Sequence, residues 1–417
     1  MANLFDYLEW RGDLTFEQSP FNVVDNLILS CLGYVVLDGL VSGFDCTYGT
    51  TVKEAASLFV QLPESVKNLR SPKDEDVLVA MAKSKRFAEL NLLYHVDQID
   101  LITEKQFAAI TVNLGNGSYY VVFRGTDCSV IGWKEDFNMT FCSAVPAQLE
   151  AVRYLQKVAE CTEGPLYVGG HSKGGNLAIF AAAHVASEIQ QRITVVYNND
   201  GPGFQEDVVV SAGYQAIKDR IQTFIPQTSL FGLMLEHAEP FTVIESTGIF
   251  VMQHDPYTWT VKGPDFIYLE EVTASGRFMD ATLRGWLAGV SVEQREQFVD
   301  AVYEAISADE VLTLQDLVKV WLTNPGDRLK NLRDVDDETA DMIRQTFRQL
   351  VQNMGRTAQN MIKEEQAERM LPLKEKVEQK MELSIRRHDW LKLPERANAK
   401  EKAAQHHVIG HHNEADR

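Results

Sequence analysis

The chain has 417 residues, more than one ordinary domain, and the expectation is a principal domain of about 200 to 250 residues with accessory helices. Its 45% hydrophobic and 24% charged content is that of a chain able to build a sizeable core. The formal net charge of -19 excludes nonspecific binding to nucleic acid or anionic lipid, both of which repel an acidic surface.

Residues 1–90 read as a helical N-terminal region packing on the core. Apolar spacing predicts helices over 51–62 and 76–94, separated by the loop 68–74. The apolar run 23–40 is interrupted by Asp25, Asn26 and Asp38 and has Gly33 in its middle, so it reads as a buried helix rather than a membrane span. Positions 1–10 already carry Asp6 and Glu9, unlike a basic-then-apolar leader, and the expected compartment is the cytoplasm. The cysteines, Cys31, Cys46, Cys128, Cys142 and Cys161, have no CxxC spacing and read as reduced thiols.

Across 91–280 the pattern changes. Short β-rich runs at 107–114 and 119–123 flank Gly115-Asn116-Gly117, a hairpin by its turn chemistry. A helix follows over 146–161, then a strand over 165–168, a helix over 176–187 and a strand over 193–197, with further strands at 221–225 and 241–245. Strands alternating with helices predict an α/β fold, a mostly parallel sheet flanked by helices.

Residues 281–354 read as a C-terminal helical region, with Ser291 and Gln294 at capping-box spacing before Phe298, Val299 and Val302. From 355 to 417 dense Lys, Arg and Glu predict a charged helical or disordered tail. Its amphipathic stretch 370–393 reads as a solvated helix ahead of a membrane or partner contact. His406, His407, His411 and His412 lie in this tail without a folded second shell and read as incidental, so no metal site is expected.

The strongest chemical signal is Gly170-His171-Ser172-Lys173-Gly174, a G-x-S-x-G pattern between the predicted strand 165–168 and helix 176–187. A serine on a sharp strand-to-helix turn needs neighbours without side chains, because the strand and helix pass close together, and Gly170 and Gly174 supply that room. The turn also aims the first helix amides at the place where an oxyanion forms, which makes the Lys173 amide the first expected donor.

A serine hydroxyl needs a base, and the base needs an orienting carboxylate. The downstream histidines are His184, His237 and His254. His184 falls in the helix after the serine and reads as structural. His254, in Met252-Gln253-His254-Asp255-Pro256 after the strand-like region 241–251, is the favoured base, with His237 the lesser candidate. Asp200 follows the strand 193–197 at a carboxyl end, where ligands collect in such sheets, and is the favoured acid. Asp255 and Glu236 are the alternatives. The second oxyanion donor is expected from Thr126, in the loop Arg124-Gly125-Thr126-Asp127. Arg124 reads as a structural lock for that loop, Trp133 as a pocket residue, and Asp136 as the anchor of Lys173.

Phe123-Arg124-Gly125-Thr126, Trp133, Asp136 and Gly-His-Ser-Lys-Gly-Gly together resemble the class 3 lipases typified by fungal triacylglycerol lipases. With Asn-Asn-Asp-Gly-Pro-Gly-Phe at 198–204 and Gln-His-Asp-Pro at 253–256, the chain resembles more closely an uncharacterised bacterial family of lipase-like α/β-hydrolases. The resemblance covers roughly 90–259. It implies an α/β-hydrolase fold with Ser172 as nucleophile, His254 as base and Thr126 at the oxyanion hole. One departure stands out: the lipases carry their acid after the strand corresponding to 221–225, and here that place reads Pro226-Gln227-Thr228-Ser229, without a carboxylate. The expected activity is hydrolysis of a small-molecule or lipid acyl ester without metal or organic cofactor. The competing expectation is an inactive α/β-hydrolase scaffold serving as a protein-interaction module.

Overall fold

The structure is a computed structural model, and it describes residues 1–280 except 47, 68, 128 and 279, together with positions 284, 291, 293 and 295–297. All of these lie in the first of the two compact units of the chain, Met1–Thr357 and Ala358–Arg417. Gln294 of the predicted capping box, the remaining positions of the C-terminal helical region, the charged tail and Cys128 therefore lie outside the described residues. Cys31, Cys46, Cys142 and Cys161 are free thiols.

Among the described residues of the first ninety lie the helices α1 (Leu4–Arg11), α2 (Val23–Leu32), α3 (Val52–Val60), α4 (Glu64–Lys67) and α5 (Pro72–Lys83). Capping boxes start α1, α2, α3 and α5, each pairing a short polar side chain with an acid three residues on. The helix expected over 76–94 is a correction. The chain leaves α5 at Ser84, which adopts an extended backbone, and a ten-residue strand, β2 (Asn91–Asp100), follows. A bulge between Leu93 and Val96 in β2 breaks its two-residue alternation, which is why the strand period is hidden there.

β2 is paired on one edge with the short β1 (Thr50–Thr51) and on the other with β3 (Lys105–Asn113), which turns through 114–118 into β4 (Tyr119–Phe123). These pairings are antiparallel. Then come α6 (Val130–Asn138), α7 (Pro146–Cys161), β5 (Leu166–His171), α8 (Lys173–His184), α9 (Ser187–Arg192), β6 (Ile193–Asn199), α10 (Glu206–Val209), α11 (Ala212–Ile217), β7 (Ile221–Pro226) and β8 (Phe241–Ile244). From β4 to β8 every pairing is parallel. Two further short strands, β9 (Val261–Lys262) and β10 (Asp265–Phe266), pair with each other, and β11 (Tyr268–Leu269) closes the large sheet antiparallel to β8.

Helices cover both faces of this nine-stranded sheet. Tyr120 and Val122 of β4 point into a core built with α1, α2, α3 and α5. Val121 and Phe123, one residue out of phase, point into a second core built with α7, α8 and α11. The N-terminal helices are thus one layer of an α/β/α fold. That layer is tied internally by Asp25 and Arg86, both fully buried. Asp25 accepts from Arg86 Nε at 2.7 Å and from Tyr7 Oη at 2.9 Å. The Arg86 guanidinium also reaches the carbonyls of Leu14, Ser19 and Pro20.

Removing one member of such a pair strands the other charge in the interior. Arg86→Met is expected to lower the unfolding free energy by about 3–5 kcal/mol, read from the urea midpoint.

Candidate functional site

Ser172 is the hinge between β5 and α8, with φ 58° and ψ -132°. An L-residue visits this region only when its surroundings impose it. A Cβ on Gly170 would meet the Phe123 carbonyl oxygen at 2.4 Å, and one on Gly174 would meet it at 2.1 Å. The two glycines let β4, β5 and α8 converge, and the Ser172 amide donates to the Asn199 carbonyl at 2.9 Å. Helix α8 starts at Lys173, three residues earlier than its composition predicts, because Gly174 and Gly175 serve close packing rather than helix propensity.

Three sequence candidates converge at this bend. Asp200, fully buried at the end of β6, accepts from His254 Nδ1 at 2.6 Å. Its other oxygen accepts from Ser229 Oγ at 2.5 Å, and its amide donates to the Phe224 carbonyl at 2.8 Å. Ser229 stands in the loop after β7, where the resemblance calls for a carboxylate. The carboxylate bonded to His254 stands instead at the end of the neighbouring strand, and the Ser229 hydroxyl donates to it.

His254 ends a short 3-10 turn, Phe250–His254, rather than following a long strand, since β8 stops at Ile244. The turn is held by Thr228 N donating to Gln253 Oε1 at 2.7 Å and Trp259 Nε1 donating to the Gln253 carbonyl at 2.9 Å. The His254 ring lies 4.6 Å from the ring of His171, the residue before Ser172, and 4.4 Å from Phe231. With Nδ1 engaged by Asp200, its Nε2 has no hydrogen-bond partner among the described residues, and neither has Ser172 Oγ. Serine–imidazole pairs are often looser in unliganded sites and tighten around substrate.

His171 carries a role that the sequence reading missed. Its Nε2 donates to the His254 carbonyl at 2.8 Å, which leaves Nδ1 to accept from Tyr34 Oη, also at 2.8 Å. Burial, followed by the neighbouring His254 and Arg70, holds the His171 pKa well below the usual histidine value, so the ring is neutral and its tautomer is set by these two bonds. Tyr34 is stacked under the Arg70 guanidinium at 3.9 Å.

The remaining candidates sort by their contacts. His184 bonds the Phe180 carbonyl at 2.8 Å within α8. His237 bonds Glu239 at 3.0 Å. Asp255 caps Tyr257 and faces Lys73, and Glu236 pairs with Arg284 at 2.8 Å. None of the four is bonded to Ser172 or His254. Arg124 grips Asp97 with bonds of 2.6 and 2.9 Å, which fixes the loop carrying Thr126. Lys173 Nζ pairs with Glu135 at 3.0 Å and with Asp136, the expected anchor, at 4.0 Å, so Glu135 is the nearer of its two carboxylates. Asp136 also accepts from Thr126 Oγ1 at 2.5 Å. The side chain of Trp133 lies outside the described residues. Lys173 opens α8, where the first amides have no intrahelical acceptor. Among the described residues no cluster of His, Cys, Asp or Glu is arranged to hold a metal ion, and no helix is long and apolar enough to cross a membrane.

A mixed, mostly parallel sheet sandwiched by helices, with a serine at positive φ in a strand-to-helix bend, defines an α/β-hydrolase fold. Residues 81–304 match the Mbeg1-like family model, and the chain belongs to the Mbeg1-like family. Among solved structures it is similar to a mutant form of MDLA from Penicillium cyclopium, at 14% identity over 58% of this chain and 83% of that one, with a TM-score of 0.35. It is also similar to a propeptide complex of Rhizomucor miehei lipase, at 15% identity over 42% and 70%, TM-score 0.30. The M37 lipase gives 16% over 50% and 69%, TM-score 0.32. Scores this low carry no argument about activity. No curated protein matches the chain.

A neutral buried His171 makes stability depend on pH. The unfolded imidazole takes up a proton below about 6.5 while the folded one does not, so its contribution is complete above that value and is lost as pH falls. The expected loss is about 1.4 kcal/mol per pH unit below 6.5, seen as the difference between wild type and His171→Leu in urea denaturation across pH.

Proposed function

We propose that the chain is a serine hydrolase that cleaves an acyl ester through an acyl-enzyme intermediate. The observation that carries this reading is the 2.6 Å bond that His254 Nδ1 donates to Asp200, which leaves Nε2 without a partner among the described residues, beside the bend that presents Ser172. Ser172 Oγ attacks the carbonyl carbon and its proton passes to His254 Nε2. Asp200 holds the Nδ1–H and stabilises the imidazolium that results. The amides of Lys173 and Thr126 receive the oxyanion. The imidazolium then protonates the leaving alkoxide, and water, deprotonated by the same nitrogen, releases the acyl group.

An apolar acyl group suits the turn that bears His254, where Met252 is 50% exposed and Ile249, just before the turn, 77% exposed. A lipid or small ester therefore fits better than a charged acyl substrate. A reducing compartment such as the cytoplasm accords with the free thiols of the four cysteines among the described residues. The inactive-scaffold reading draws on the displaced acid, and an Asp200 hydrogen-bonded to His254 leaves it without that motivation.

Active-site labelling with a fluorophosphonate tests the proposal. Wild type is expected to label at one serine and Ser172→Ala not at all; a folded wild type that stays unlabelled sinks the enzymatic reading. Turnover of a short-chain ester is expected to fall at least about 10⁴-fold in His254→Ala and to stay near wild type in His237→Ala. Equal losses would transfer the role of base to neither residue.

A further inference from the structure

Glu135 is fully buried and Lys173 nearly so, yet both are charged and saturated with partners. Lys173 Nζ donates to the Gln106 carbonyl at 2.9 Å, to Gln106 Oε1 at 2.6 Å and to Glu135 at 3.0 Å. Glu135 accepts in addition from the amides of Gln106 at 3.0 Å and Ala147 at 2.8 Å. Lys173 Nζ has its three donors engaged and both Glu135 oxygens accept, while Gln106 Nε2 is buried without a partner among the described residues. An apolar pair of similar volume commonly gives equal or greater stability, so a buried ion pair is better explained by the geometry it imposes.

What the pair imposes follows from where its members sit. Lys173 supplies the first amide of α8, directly after Ser172. On α6 the next residue, Asp136, accepts from Thr126 Oγ1. Successive helix positions diverge by about 100°, so one side chain reaches inward to α8 and the other toward the loop after β4. The two amides proposed to receive the oxyanion belong to residues whose side chains end on adjacent carboxylates of one helix. We propose that Glu135 is a positioning residue which, through Lys173, sets the spacing of the two oxyanion donors. This rests on the serine hydrolase reading above. Burial holds the carboxyl of Asp136 up at about 6.

The test uses the double variant Glu135→Met/Lys173→Met, which removes both charges together, and the isosteric Glu135→Gln, with active sites counted by fluorophosphonate titration. The expectation is a fall in kcat per titrated site of about 10- to 100-fold with KM changed less than about 2-fold, a fraction of what losing a whole donor costs. Affinity for a boronic acid, whose tetrahedral adduct mimics the oxyanion, is expected to fall by the same factor as kcat/KM. A purely structural role would reduce the number of titratable sites and leave kcat per site unchanged, and that result overturns the proposal. If the double variant does not fold, Glu135→Gln alone decides by the same criterion. Failure of wild type to label would count against the hydrolase reading itself, separately from Glu135.

Discussion

A serine held at a positive φ is the constraint on which the rest of the site depends. Two bare positions, Gly170 and Gly174, allow the Phe123 carbonyl to sit against both sides of the bend. The Ser172 amide is bound by the Asn199 carbonyl. The side chain of Asn199 returns to the Gly170 carbonyl at 3.0 Å and to Asn26 of α2 at 3.1 Å, so the bend is braced from within the sheet and from the helix layer beneath it. Strain of about 1–3 kcal/mol, the cost of such a conformation, persists where the surroundings over-determine it in this way.

The residues on either side of that serine divide the work of orientation. His171 faces one helical layer, takes a hydroxyl from Tyr34 and fixes the backbone of the proposed base. Lys173 faces the opposite direction and ends on α6 and β3. Neither side chain is needed for a tight turn as such, and an apolar residue would fill either space. Their chemistry makes sense as a way to fix separate loops to one short segment, since loops alone are the least rigid parts of an α/β domain.

The central architecture was legible because its signals are local. The turn 115–117 marks a hairpin, α7 is amphipathic along its whole length, and each parallel strand is a short apolar run. The glycine spacing around Ser172 likewise encodes the bend. What stayed hidden was non-local. The start of β2 is absorbed into the helix expected over 76–94, because a bulge with Tyr94 at φ 55° breaks the alternation there. Glu135 and Asp136 are indistinguishable as neighbours in sequence, and only the direction of each side chain on α6 decides which lies nearer Lys173. The acid candidate Asp200 rested on its place at a strand end, while the role of Ser229 needed two loops to be brought together.

The tyrosine hydroxyl that sets the tautomer of His171 lies at position 34, and the amide that braces Asn199 lies at position 26, both upstream of the span 81–304 shared with the family model. A fragment cut to that span would keep the serine, the imidazole and the carboxylate but would strip α1, α2 and α3 from the core that Tyr120 and Val122 share with them. The leading segment is therefore better regarded as part of the minimal folding unit than as an appendage, and any redesign of it is bounded by the need to deliver one phenol and one carboxamide to the same two points.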